Sequence, residues 1–96
     1  MNIKNKKITG PICFGEMLHA FREAREFTQV EMAEMLSISK QDLCNIEKGR
    51  KLVSVERAIT FAQALNMPAK TFAQYALQDQ LNKAGLEGIV TINRVA

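Results

Sequence analysis

The chain has no tryptophan, and its 96 residues include one tyrosine, one histidine, two prolines and two cysteines. His19 has no second ligand or nucleophile at helical spacing, which removes histidine-based metal binding and general-base chemistry and leaves a surface role. Cys13 and Cys44 stand in neither C-x-x-C nor Cys/His spacing, so they read as reduced thiols rather than zinc ligands. There is also no glycine-rich phosphate loop and no nucleophile motif, and the glutamates are scattered along helix faces. Together these absences argue against an enzyme, a cofactor or a bound metal. No apolar run is long enough for a membrane span or a signal peptide, which implies a cytoplasmic location without a membrane partner. Internal repeats and low-complexity tracts are lacking too.

What is present is material for a core. The apolar fraction is 47% and the charged fraction 24%, which suits one packed domain and excludes global disorder. The net charge of +3 is compatible with a polyanionic partner. Its placement says more: Lys4, Lys6 and Lys7 crowd one end, and Lys40, Lys48, Arg50 and Lys51 gather around one short segment.

That segment belongs to Thr28–Gly49, TQVEMAEMLSISKQDLCNIEKG, which predicts two short helices joined by a tight turn. Thr28 and Glu31 have the spacing of a capping box, and Ser39 with Asp42 repeats it with the shorter acid, so helices start near Gln29 and Lys40. In the first helix Val30, Ala33 and Leu36 form the inward set, widened by Met32 and Met35. Ala33 supplies the small side chain that a steeply crossing neighbour requires. In the second, Leu43 and Ile46 point inward with Glu47 beside them, and Gly49 is the stop. Lys40, Gln41, Cys44, Asn45 and Lys48 then share the opposite face. Gln and Asn offer a donor and an acceptor together, as a base edge in the major groove requires, and Lys can donate to guanine or phosphate.

At this point the chain resembles the lambda-repressor/Cro-like (XRE-type) helix-turn-helix family. The resemblance runs from about Phe14 to Leu81 and is densest at Thr28, Gln29, Ala33, Leu36, Ser39, Ile46, Glu47 and Gly49. The chain departs from the family at Ser37 and Asn66, where Gly is usual. The resemblance implies a sequence-specific repressor of double-stranded DNA that acts as a dimer on a palindromic operator, with the second helix of the motif in the major groove. Lys40, Gln41 and Asn45 would read bases, with Ser39, Cys44 and Asp42 nearby, Asp42 doubling as a cap. Gln29 would meet a phosphate at a helix N-terminus, and Lys48, Arg50 and Lys51 would add backbone contacts. The resemblance further implies that Arg22 pairs with Glu47, tying the first helix to the end of the reading helix.

The remaining segments complete a five-helix, all-α expectation. Residues 1–13 read as an arm, 14–84 as the DNA-binding domain and 85–96 as a tail. The first helix is expected from Phe14 to Glu26 with Phe14, Met17, Leu18, Phe21 and the Arg25 stem buried, and Phe27 at the junction to the next helix. A fourth, capped by Ser54, would bury Val55, Ala58, Ile59, Ala62 and Leu65, with Phe61 near the boundary. Pro68 would open the fifth, which runs to about Ala84 around Phe72, Tyr75, Ala76 and Leu81. After Gly85 and Gly88, Ile89–Val95 alternates β-branched residues and predicts a short C-terminal strand whose unpaired edge needs a partner. Val90 and Ile92 would then lie in a homodimer interface. That tail also favours a second reading, an antitoxin that restrains a toxin protein and autoregulates its own operon.

Overall fold

A computed structural model describes residues 13–86, 88, 91 and 92. It contains α1 (Phe14–Ala24), α2 (Gln29–Leu36), α3 (Lys40–Glu47), α4 (Val55–Ala64) and α5 (Ala69–Lys83). No strand occurs among the described residues. The all-α fold is as the sequence predicts. Most of the Ile89–Val95 segment, including Val90, lies outside the described residues; Thr91 and Ile92, which are described, are not in a strand.

The helix starts follow local chemistry. Thr28 Oγ1 accepts the Glu31 N–H at 3.0 Å, and the Glu31 carboxylate returns to the Thr28 N–H at 2.8 Å. Cys13 and Glu16 form the same reciprocal pair at the head of α1, a cap that the placement of residue 13 in an arm overlooks. Ser39 and Ser54 cap α3 and α4 through their hydroxyls. Pro68 sits just outside α5 rather than in its first turn and provides no side-chain cap.

The helix ends share one device. In every case an N–H reaches back five residues to a carbonyl: Phe27 to Arg22, Ile38 to Ala33, Arg50 to Asn45, Met67 to Ala62 and Leu86 to Leu81. The residue before each donor is left-handed: Glu26, Ser37, Gly49, Asn66 and Gly85. This is the Schellman arrangement, which satisfies orphan carbonyls at the cost of a positive φ. Phe27, Ile38 and Met67 then fold back onto the core.

The core gathers one stripe from each helix. Phe14 and Leu18 of α1 meet Leu43 and Ile46 of α3 and Phe72 and Ala76 of α5. Phe14 packs edge-on to Phe72 with ring centroids 5.7 Å apart. On α2 the buried stripe is Met32, Ala33 and Leu36, while Val30 is 49% exposed, contrary to the sequence expectation. Gln29 occupies the first position of that i, i+3, i+4, i+7 stripe, and its polarity disguises the phase. On α4 the stripe is Ala58, Phe61, Ala62 and Leu65; Phe61 is fully buried, and Val55 and Ile59 are only half-buried.

Two close approaches position α1. Gly15 of α1 lies so near α3 that a β-carbon there would fall 2.1 Å from the Ile46 carbonyl oxygen, so α1 crosses at a place where only glycine fits. From α5, the buried Asp79 carboxylate accepts the Phe14 N–H at 3.1 Å, at the positive end of α1. Burial pushes the Asp79 carboxyl above its usual range, and the Phe14 hydrogen bond does not cancel that. No described helix is long and apolar enough to cross a membrane.

Candidate nucleic-acid interface

The three-residue link 37–39 turns the chain sharply between α2 and α3. Ser37 makes the turn at φ 59° and ψ 42°, a conformation that glycine adopts without strain and serine with a modest penalty. Ile38 is half-buried beneath it, and Ser39 opens α3. The turn is therefore a Schellman stop followed at once by an N-cap. This is how 22 residues, Thr28 to Gly49, accommodate two helices and both their ends.

α3 is divided lengthwise. Leu43, Ile46 and Glu47 are buried, whereas Lys40, Gln41 and Lys48 are exposed and Cys44 and Asn45 are half-buried. Gln41 Nε2 donates to Asn45 Oδ1 at 3.3 Å, and Arg50 Nη1 donates to the same oxygen at 3.2 Å. The Asn45 carbonyl is thus occupied and its amide N–H groups point away from these two donors, so the amide is oriented before any ligand arrives. Among the described residues Lys40 and Lys48 make no ion pair. Both cysteines are free thiols, and no group of three or more His, Cys, Asp or Glu among the described residues could hold a metal ion.

Beneath this face lies a polar hub centred on Glu47. Arg22 Nε donates to Glu47 Oε2 at 2.7 Å and Nη2 to Oε1 at 3.1 Å, a bidentate pair, while Nη1 reaches the Phe27 carbonyl at 3.0 Å. Gln29 Nε2 donates to Glu47 Oε1 at 3.1 Å. His19 Nδ1 lies 3.1 Å from the same oxygen, and Nε2 lies 3.2 Å from the Glu23 carboxylate. Burial raises the Glu47 carboxyl, but the hydrogen bonds from Arg22, His19 and Gln29 outweigh it and hold it below the usual range. The same bond holds the Arg22 guanidinium above its ordinary value.

His19 is therefore a member of the hub rather than a bare surface residue. A single histidine carries no sequence signal of this kind; only the packing of α1 on α3 reveals it. Gln29 is placed twice over, at the first position of α2 and on Glu47, and its second amide hydrogen remains available to solvent or a ligand.

A second ionic cluster was not legible in the sequence at all. Asp42 does not complete a capping box with Ser39. Its carboxylate instead meets Lys51 Nζ at 2.6 Å and Arg57 Nη2 at 2.6 Å. Those hydrogen bonds, Lys51 first and Arg57 second, hold the Asp42 carboxyl below its usual range. The Arg57 guanidinium also lies over the Phe61 ring, 5.3 Å from its centroid. Asp42 thereby links α3 to the following loop and to the first turns of α4.

Residues 15–78, from the second residue of α1 to the later turns of α5, match a family described as a helix-turn-helix domain. A protein of Pyrococcus furiosus, named as a candidate HTH-type transcriptional regulatory protein, is 35% identical over 54 residues. The alignment covers 56% of this chain but 17% of that protein, so the chain spans a small part of its relative's length. A turn stopped at Ser37, a capped α3 split into a buried and a polar face, and a match over most of the helical core have one consequence. The chain belongs to the XRE-type helix-turn-helix family.

Proposed function

We propose that the protein is a sequence-specific double-stranded DNA-binding transcriptional repressor, with α3 as the helix that enters the major groove. The observation that carries this is the division of α3. Its buried side is anchored by Leu43, Ile46 and the Glu47 hub, so the face of Lys40, Gln41, Asn45 and Lys48 is presented on a rigid support. Lys40, Gln41 and Asn45 take the base edges, with Ser39 and Cys44 at their border. Gln29 meets a phosphate at the N-terminus of α2, where unpaired backbone N–H groups favour an anion. Lys48, Arg50 and Lys51 supply backbone contacts. Reading DNA in this way needs no catalytic group and no cofactor, and suits a cytoplasmic protein. Residues 14–84 constitute the reading domain, flanked by the arm 1–13 and the tail 85–96.

One reading helix spans only a few base pairs. Two copies binding half-sites about one helical turn apart, ~34 Å, would give a palindromic operator its recognition. In this proposal the second copy meets the first through the tail, with Val90 and Ile92 at the contact. Sedimentation of a chain lacking residues 88–96 tests that part: a truncated protein that stays dimeric removes the tail from the interface. The function itself is tested by binding to the DNA upstream of its own gene across a salt series. Selective binding with a steep salt dependence is expected; equal affinity for a shuffled duplex at every salt concentration would overturn it.

A further inference from the structure

We propose that Asp42 is an affinity-limiting residue that lowers the protein's affinity for DNA of any sequence by competing with phosphate for Lys51 and Arg57. The inference rests on the DNA-binding reading above and deepens it.

Three observations carry it. First, two acidic residues lie between Lys40 and Arg50, and because Glu47 is buried, Asp42 is the one that solvent reaches. Second, its carboxylate is divided between two cations from different places: Oδ1 takes Lys51 from the loop after α3, and Oδ2 takes Arg57 from α4. Third, the cluster is accessible to water and to a ligand. The Asp42 side chain is 18% exposed, Arg57 33% and Lys51 47%. A partly exposed cluster that ties α3 to α4 at modest energetic gain leaves room for a second role beside the reading helix.

Competition supplies it. A phosphate that approaches this flank of α3 finds Lys51 and Arg57 already holding a carboxylate, and the Asp42 charge itself repels it. Contacts to phosphate are sequence-independent, so this penalty falls on every DNA sequence alike. Base contacts through Lys40, Gln41 and Asn45 are then required to reach useful affinity. Specificity is a difference of affinities, so this common term cancels between sequences and sets instead how tightly any DNA is held. Arg50 bonds Asn45 instead of Asp42, so the restraint is confined to the Lys51 and Arg57 side.

The test uses the full chain and two duplexes of equal length, its upstream DNA and a shuffled version, titrated by fluorescence anisotropy across a salt series. Asp42→Asn keeps the shape and removes the charge. It is expected to bind both duplexes roughly fivefold more tightly at low salt, with a salt slope steeper by about one for each cation released to phosphate. The ratio of the two affinities, from which the common term cancels, should stay as in the parent. Adding Lys51→Met and Arg57→Met to Asp42→Asn should abolish the gain, which a merely structural role of Asp42 would not predict. An Asp42→Asn protein with unchanged slope, or with weaker binding to both duplexes, overturns the inference while the parent's selectivity leaves the DNA-binding reading standing. A parent that binds neither duplex sinks both.

Discussion

Arg22 on α1 and Glu47 at the end of α3, 25 positions apart, meet in a bidentate pair whose shortest bond is 2.7 Å, with only 13% and 3% of the two side chains exposed. The pair fixes the end of α3 to the first helix of the domain. Because Glu47 also accepts from Gln29 and borders His19, one carboxylate joins α1, α2 and α3.

Breaking that pair should be expensive. Arg22→Met leaves a buried carboxylate with only His19 and Gln29, and a loss of about 3–5 kcal/mol is expected. The Glu47 carboxyl is depressed in the folded state, so its stabilisation is present above the unfolded carboxylate range and is lost as the pH falls through the folded value. Urea unfolding of parent and variant should therefore show a wide gap at neutral pH that narrows on acidification. A gap that stays constant down to about pH 3 would mean that the ionised pair is not its source.

Gly15→Ala places a methyl group against the Ile46 carbonyl, a backbone atom that cannot move without moving α3. Overpacking typically costs about 1–3 kcal/mol, and the rigidity of this neighbour puts the expectation at or above the top of that range. Thermal unfolding measures it. A melting temperature matching the parent's would show that α1 and α3 can separate freely.

Ser37→Gly tests the turn. Left-handed backbone costs a non-glycine residue roughly 1–2 kcal/mol, whereas glycine adds roughly 0.5–1 kcal/mol of unfolded-state entropy. The balance favours the variant by about 0.5 kcal/mol, with α3 unchanged. Denaturant midpoints would reveal this, and a destabilised variant would show that Ser37 makes a contribution beyond its backbone angles.

On the reading face, Lys40→Ala, Gln41→Ala and Asn45→Ala should each weaken operator binding by about 1–3 kcal/mol while leaving stability within about 0.5 kcal/mol. Asn45→Ala also releases Gln41 and Arg50, so its effect should not add to that of Gln41→Ala. Anisotropy titrations of the single and double variants would check this. Three variants with parental affinity would place the base-reading face elsewhere.

Much of the fold is legible in local chemistry. Thr28, Ser39 and Ser54 are oxygen acceptors just ahead of apolar periodicity, and each caps the expected helix. Cys13 does the same with sulfur, a weak acceptor, and so carries a weaker signal. Glu26 adopts the left-handed conformation at a helix end although nothing in its side chain favours it; the return of Phe27 to the core imposes it. Val30 and Phe61 exchange the roles that periodicity suggests because the first position of the α2 stripe is a glutamine and the α4 stripe has two alanines.

The sequence by itself determined that the chain forms five helices with a tight turn before α3, and which side of α3 is polar, because caps, stops and periodicity act over a few residues. Only the tertiary structure decided which charges meet beyond the Arg22–Glu47 pair that the family resemblance implies. Glu47 gathers Arg22, Gln29 and His19, and Asp42 gathers Lys51 and Arg57, across 9 to 28 positions of chain. Those partners are brought together by how α1, α2 and α4 are placed around α3, and the crossing at α1 depends on the missing side chain of Gly15. A pairwise attraction between exposed charges is too weak to announce itself in sequence, and it acquires direction only once the helices that carry the charges are packed.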